Sequence, residues 1–139
     1  MIIIYALWIL YAILEGIREG FLWHYRLKSD IQDDDYDFLH DLFFIQRLIV
    51  AIVFSFFVDW TSDGFLECIP YIVALGLCFP FFHNGYYYNT RNNMDPTLYP
   101  KRFRDFSTTS TARTAKLLTF RNRLIGLILS ISILTYLYL

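Results

Sequence analysis

The chain has 139 residues, 56% of them hydrophobic, and its mean hydropathy is +0.39. This length excludes a multidomain protein, and the hydrophobic share exceeds what a soluble domain normally carries. The net charge of −1 hides an uneven distribution along the chain, so the charged residues have to be located before partners can be inferred from them.

The first predicted transmembrane helix covers residues 2–21. A bilayer core of about 30 Å requires roughly 20 mostly apolar residues in a helix, and this run has that length. Its second half contains Glu15, Arg18 and Glu19, which are three or four residues apart and therefore share one helix face. The run lacks the basic start and the small-residue cleavage site of a secretory signal peptide, so we interpret it as a retained helix.

The second and third predicted helices cover residues 40–58 and 65–82. Arg47 is the charged residue within the apolar part of the second helix. The third helix contains Pro70 near its start and Pro80 near its end. A proline lacks the amide hydrogen and its ring clashes with the preceding turn, which favours a kink or the end of the helix at these points.

The fourth predicted helix covers residues 111–139. Its apolar part is short, but the hydroxyl side chains of residues 107–111 are suited to cap a helix, and residues 112–120 contain no helix breaker. The whole helix would be about 43 Å long at ~1.5 Å per residue. Its basic first turns should therefore project from the membrane.

Lysine and arginine indicate the orientation, since cytoplasmic connections retain them. Residues 26–37 and 84–113 contain basic residues, whereas residues 59–64 contain none. The two basic connections are therefore predicted to be cytoplasmic segments, which places both termini on the outer side. The predicted fold is an all-α polytopic integral membrane protein with four transmembrane helices, in which residues 1–139 form a single membrane domain. The predicted location is a bacterial inner membrane or an organellar inner membrane.

An intramembrane ion pair is predicted between Arg47 and either Glu15 or Glu19. The first helix runs inward and the second returns, so these residues should lie at similar depth. Ionised groups inside a bilayer cost a few kcal/mol each and are usually paired. Gly16 and Gly20 form a small-xxx-small pattern that permits close approach of another helix. Neutralisation of charge is the simplest role for these residues.

A metal site at the cytoplasmic helix ends is a second hypothesis. The histidines His24, His40 and His83 all fall at such ends near carboxylates, and nitrogen and oxygen ligands of this kind suit zinc, iron or manganese. The spacing gives weaker support because the sequence has no HExxH or HxxxH motif, and the histidines would equally suit the polar interface. His24 can join Glu19 in one site only if the helix ends between them. The predicted ligands are Glu15, Glu19, Asp37, His40 and His83.

The basic residues of the third connection are predicted to contact lipid headgroups. Basic residues interleaved with an aromatic residue can also bind nucleic acid, but beside two membrane spans they more simply mark the cytoplasmic leaflet and its anionic lipids. Nucleic acid is therefore not a predicted partner. The headgroup contacts are assigned to Lys101, Arg102, Arg104, Arg113 and Lys116.

The leading functional hypothesis is a non-catalytic membrane component. It would be an accessory subunit of a larger assembly or a self-associating protein of the holin or channel type, with membrane lipids and other membrane subunits as partners and no cofactor required. The alternative is a small membrane-embedded enzyme that uses a divalent metal at the cytoplasmic interface. A third hypothesis is a proton path through Glu15, Arg47 and Glu19, which would need several chains to enclose it.

Overall fold

The computed structural model describes residues 2–26, 44–54, 65–105 and 117–138. These segments contain helices and turns, and no strand occurs in them, which confirms the all-α prediction for the described part of the chain. The helices are α1 (Ile2–Arg26), α2 (Phe44–Phe54), α3 (Phe65–Met94) and α4 (Phe120–Tyr138).

Helices α1 and α3 run in the same direction and lie against each other. Near the start of α1, the indole Nε1 of Trp8 donates a hydrogen bond of 2.9 Å to the carbonyl oxygen of Leu75. Two turns further on, Gly16 meets the backbone of His83 so closely that a Cβ on the glycine would overlap the carbonyl oxygen. Close approach at a small residue is the role predicted for Gly16, and its partner helix is α3.

Helices α2 and α4 are antiparallel to α1 and α3. The hydroxyl of Ser130 on α4 donates to the carbonyl oxygen of Ala74 at 2.6 Å. Gly126, one turn earlier on α4, lies beside the carbonyl of Leu77, further along α3. On α2, Arg47 contacts Glu19 near the end of α1, whereas Phe54 packs against Trp8 near the beginning of α1. The four helices therefore alternate in direction and form a helical bundle.

The core of the bundle is centred on Trp8, which is 1% exposed. Its rings pack against aromatic side chains from the same helix, from α2 and from α3, with centroid separations between 5.3 and 5.6 Å. Such tilted aromatic pairs are more favourable than face-to-face stacks. One indole thus links three helices. The buried core cluster consists of Trp8, Ala12, Ala51, Leu75, Cys78 and Phe79.

Replacing Trp8 with phenylalanine removes the hydrogen bond and part of the aromatic packing. Phenylalanine keeps a ring in the core but leaves the Leu75 carbonyl without its indole donor. We expect the free energy of unfolding to fall by about 1 kcal/mol for the buried hydrogen bond and by at least about 1 kcal/mol more for the cavity that the smaller ring leaves. Denaturant unfolding in detergent micelles, followed by far-UV circular dichroism, measures this change. Unchanged stability would contradict a role for the indole nitrogen.

Helix α3 continues to Met94, well beyond the predicted end of the third helix at residue 82, so residues 84–94 of the predicted cytoplasmic segment are helical. Pro80 lies inside the helix without ending it. The proline removes one backbone hydrogen bond, but the next turns gain contacts with α1 and with the segment after α3. Side chains four residues apart form a continuous ridge there. They are Phe79, His83, Tyr87 and Arg91.

Helix α4 begins at Phe120, which corrects the predicted start at residue 111. Thr119 caps the helix: its Oγ1 accepts a hydrogen bond of 3.3 Å from the backbone N–H of Asn122. A hydroxyl before the first turn satisfies an otherwise free amide, and this shorter helix has its own cap. The hydroxyl-rich residues 107–111 lie outside the described residues. Helix α1 ends at Arg26, beyond the predicted end at residue 21.

One helix in the described part of the chain is long and apolar enough to cross a membrane. It is the stretch Phe120–Leu137 of α4, of which 11% is buried. The described part of α2 is apolar but shorter. Every stretch of 18 residues in α1 contains Glu15, Arg18 and Glu19, which lowers its apolar character. Four transmembrane helices therefore stay a prediction.

Candidate functional site

Three helices bring one carboxylate, one guanidinium and one imidazole together inside the bundle. Arg47 on α2 forms a salt bridge with Glu19 on α1, and its Nη2 lies 2.9 Å from Nε2 of His83 on α3. The same imidazole nitrogen lies 3.2 Å from the second carboxylate oxygen of Glu19. The side chains of Glu19, His83 and Arg47 are 4%, 5% and 19% exposed, so most of the water around these groups is excluded. We call these three residues the polar cluster.

The second glutamate of α1 has a different partner. Glu15 is buried and accepts a hydrogen bond of 2.5 Å from Nη2 of Arg18, one turn along the same helix. A carboxylate and a guanidinium at this spacing are neighbours on a helix surface. Because Arg18 compensates Glu15 within α1, the structure places Arg47 on Glu19.

Aromatic rings and an amide hold the imidazole of His83 in place. The rings of Phe79 and Tyr87 stack on its two sides at centroid distances of 4.9 and 6.5 Å. Nδ1 of His83 lies 2.8 Å from Oδ1 of Asn84. The guanidinium of Arg47 lies 5.1 Å from the Phe79 ring, a cation–π distance that adds to its salt bridge. The orientation of His83 is therefore fixed from both faces and from Nδ1.

The predicted metal ligands are only partly brought together. Glu19 and His83 converge, but a guanidinium lies against both of them where a metal ion would need to bind. His24 packs at 5.7 Å against the ring of Tyr99, apart from the polar cluster. The residues that the structure describes contain no group of three or more histidine, cysteine, aspartate or glutamate side chains suited to a metal. Of the other predicted ligands, Glu15 is paired with Arg18, and Asp37 and His40 lie outside the described residues.

Three of the predicted headgroup contacts lie in the described segment after α3. Arg102 and Arg104 are exposed, and Lys101 is half-buried. The turn containing them is closed by Asp105, which accepts a hydrogen bond from the backbone N–H of Arg102. Exposed guanidinium groups on a short closed turn remain available to an anionic surface. The other two predicted contacts, Arg113 and Lys116, lie outside the described residues.

The turn that precedes this segment is organised by Asp95. Its carboxylate accepts hydrogen bonds from Thr97 Oγ1 at 2.6 Å and from the backbone N–H groups of Thr97 and Leu98. The hydroxyl of Thr97 contributes most to lowering the pKa of Asp95, since it stabilises the ionised carboxylate. The turn stays intact above the usual pKa of aspartate and weakens as the pH falls through the lowered value.

The burial of two arginines was not anticipated from the sequence: Arg91 lies in the basic connection predicted over residues 84–113, and Arg123 lies within the predicted fourth helix. Arg91 is 7% exposed, and its guanidinium lies 3.9 Å from the centroid of the Tyr99 ring. Arg123 is 1% exposed and donates to the carbonyl oxygens of Phe103 and Asp105 at 3.2 and 3.4 Å. These contacts attach the segment after α3 to the bundle. A helix extended to residue 94 would have revealed Arg91, because it continues the four-residue spacing of His83 and Tyr87.

Comparison with known proteins gives no match: no protein-family model, no curated protein and no solved structure is similar to this chain.

Proposed function

We propose that this chain is a multi-pass integral membrane protein and a non-catalytic component of a membrane assembly, either as an accessory subunit or as a self-associating holin-like or channel-like protein. The observation that carries the proposal is the distribution of polarity. Glu19 and His83 of the polar cluster are buried between helices and Arg47 is largely buried, whereas large apolar side chains cover the outward faces. Extended apolar surfaces of this kind are rare on soluble monomers and are covered by lipid in membranes.

The outward apolar faces follow helical spacing. On α1 the exposed residues recur at intervals of three or four, and those on α2 and α4 do the same. A stripe with this period is one continuous helix face. The exposed apolar residues of these helices include Ile3, Leu7, Leu10, Leu14, Phe44, Leu48, Leu124, Ile128 and Ile131. Lipid chains or the helices of another subunit would cover these faces.

The pairing of charges within the bundle favours several transmembrane helices over a single one. The charges that make α1 less apolar are compensated: Glu15 by Arg18, and Glu19 by Arg47. Paired charges that face the bundle interior are tolerated in transmembrane helices. The alternating helix directions also suit four crossings, with the basic segment after α3 on the cytoplasmic side and Arg102 and Arg104 at anionic headgroups.

A non-catalytic role is favoured over the metal-dependent enzyme by the position of Arg47. Its guanidinium already neutralises Glu19 and lies at hydrogen-bonding distance from His83, so both candidate ligands are in use. A divalent cation would have to displace it and would add positive charge next to it. The polar cluster is therefore better suited to holding α1, α2 and α3 together than to coordinating a metal.

Membrane fractionation followed by native mass spectrometry tests this proposal. The full-length protein should stay in the membrane pellet after alkaline carbonate extraction, and it should appear in mild detergent as an oligomer or a complex without stoichiometric metal. Release into the supernatant would contradict the membrane assignment. A stable monomer with one bound metal ion per chain would contradict the non-catalytic role and support the enzyme.

A further inference from the structure

Arg123 is a buried cation at the start of α4. It is 1% exposed, and its guanidinium carbon lies 6.0 Å from the centroid of the Tyr88 ring on α3 and 5.8 Å from that of the Phe120 ring. A guanidinium has five N–H donors and stays charged in proteins. Such a group is costly to bury unless its charge is compensated and its donors are hydrogen-bonded, so the partners of Arg123 indicate what this site can bind.

The hydrogen bonds of Arg123 use only part of its donors. Nη2 donates to the carbonyl oxygens of Phe103 and Asp105 at 3.2 and 3.4 Å, at the long end of the usual range and beyond it. In the part of the chain that the structure describes, Nε and Nη1 are buried and have no hydrogen-bond partner. Buried donors are usually satisfied, and a buried charge is usually paired. This guanidinium is therefore suited to a further acceptor that carries negative charge.

Positive charge predominates around Arg123. The segment that accepts its hydrogen bonds contains three basic residues, which are Lys101, Arg102 and Arg104. Within the described residues 96–105 and 117–138 there is a single acidic residue, Asp105, and its carboxylate accepts a hydrogen bond from the backbone N–H of Arg102. The first turn of α4 adds the partial positive charge of a helix N-terminus. An anion that approaches Arg123 is therefore favoured by its surroundings.

A phosphate group matches these features of the site. It combines negative charge with several acceptor oxygens, and arginine is the side chain best suited to bind it. In the proposed topology this end of α4 lies at the cytoplasmic headgroups, where basic pockets between transmembrane helices bind anionic lipids. The exposed arginines of residues 101–105 are screened by solvent, whereas a buried guanidinium acts at a lower dielectric constant. Arg123 can therefore add selectivity to the attraction of the surface charges.

We propose that Arg123 is the centre of a phosphate-binding site between the start of α4 and residues 101–105, in which phosphate oxygens accept hydrogen bonds from Nε and Nη1. Since both nitrogens are covered, the turn of residues 102–105 has to open before phosphate enters, and the bound phosphate then holds the turn and α4 together. The phosphate of an anionic lipid headgroup and free phosphate share this chemistry. The headgroup as the source rests on the proposed function, because membrane insertion is what brings lipid to this end of α4.

Native mass spectrometry of the full-length protein in mild detergent measures lipid binding. Dioleoylphosphatidylglycerol is the anionic probe and should bind more tightly than dioleoylphosphatidylcholine, which has a phosphate but no net charge. Arg123→Gln should weaken binding of phosphatidylglycerol about tenfold or more, the factor that loss of one hydrogen bond to a charged group produces. The matched variant Arg121→Gln removes an exposed charge from the same turn of α4, and it should weaken binding by less than about fivefold.

Competition with inorganic phosphate separates the two sources. Displacement of phosphatidylglycerol by millimolar phosphate would identify free phosphate as the ligand, whereas lipid that stays bound would identify the headgroup, and both results support the site. Equal weakening in Arg123→Gln and Arg121→Gln would overturn the inference. Failure of the wild type to bind either phosphatidylglycerol or inorganic phosphate would overturn it as well.

Hydrogen–deuterium exchange of the wild-type protein locates the site without relying on the folding of a variant. Phosphatidylglycerol or inorganic phosphate should slow amide exchange in residues 101–105 and 120–124 more than the same amount of phosphatidylcholine does. Unchanged exchange in these residues with both probes would overturn the inference. A protein that resists carbonate extraction but shows that result leaves the proposed function intact, whereas release by carbonate would contradict the proposed function itself.

Discussion

Replacing Glu19 with alanine should lower the free energy of unfolding by about 3 to 5 kcal/mol, because removing one partner of a largely buried ion pair is strongly destabilising. Arg47 would lose its salt bridge with Glu19, whereas its contacts with the His83 imidazole and the Phe79 ring would remain. Denaturant unfolding in detergent micelles, followed by circular dichroism, measures the loss.

The matched control for this prediction is Leu14→Ala on the same helix. Leu14 is 56% exposed and lies on the outward face, so its truncation opens no cavity in the bundle. Surface truncations of this kind usually change stability by less than about 0.5 kcal/mol. Equal losses for Glu19→Ala and Leu14→Ala would show that Glu19 is not part of a buried ion pair.

Replacing Gly16 with alanine should destabilise the bundle by about 1 to 3 kcal/mol, the usual cost of an added group in a packed contact. The new Cβ would overlap the carbonyl oxygen of His83, and a backbone atom cannot rotate away as a side chain can. Helices α1 and α3 would have to separate, which also draws His83 on α3 away from Glu19 on α1. Unfolding in detergent micelles measures the cost.

Gly76→Ala provides a control of opposite sign. Apart from its chain neighbours and the adjacent backbone of its own helix, nothing in the described part of the chain lies within 4 Å of a Cβ at Gly76, in contrast to Gly16. Alanine in a helix restricts the unfolded chain and favours helical conformation, so this variant should be stabilised by about 0.4 to 1 kcal/mol. If both variants changed stability in the same direction, the close contact between α1 and α3 would be contradicted.

The existence of the helices could be predicted from the sequence, whereas the ends of α1 and α3 and the start of α4 could not. Long apolar runs and the lack of strand-like alternation are local signals, and they indicated the helical segments. The continuation of α3 past Pro80 depends on packing of the following ridge against α1, which no local signal records. Similarly, Thr119 acts as a cap only because α4 begins at Phe120.

The polar cluster was predictable in its composition and not in its pairing. Charged residues in apolar runs require partners, so the sequence indicated Arg47 and the two glutamates of α1. In the structure Arg18 pairs with Glu15 and Arg47 pairs with Glu19, a choice that spacing along α1 does not decide. The place of His83 beside Glu19 depends on the parallel packing of α1 and α3 through Gly16. Tertiary contacts of this kind cannot be derived from spacing along one helix.

A double-mutant cycle on Glu19 and Arg47 tests the central claim most directly, namely that a buried ion pair joins α1 and α2. The free energies of unfolding are measured in detergent micelles for the wild type, Glu19→Ala, Arg47→Met and the double variant. Contact predicts a coupling energy of about 0.5 to 3 kcal/mol, with the double variant less destabilised than the sum of the single variants. Losses that add to within about 0.3 kcal/mol would mean that the two residues do not interact, and the polar cluster would be contradicted.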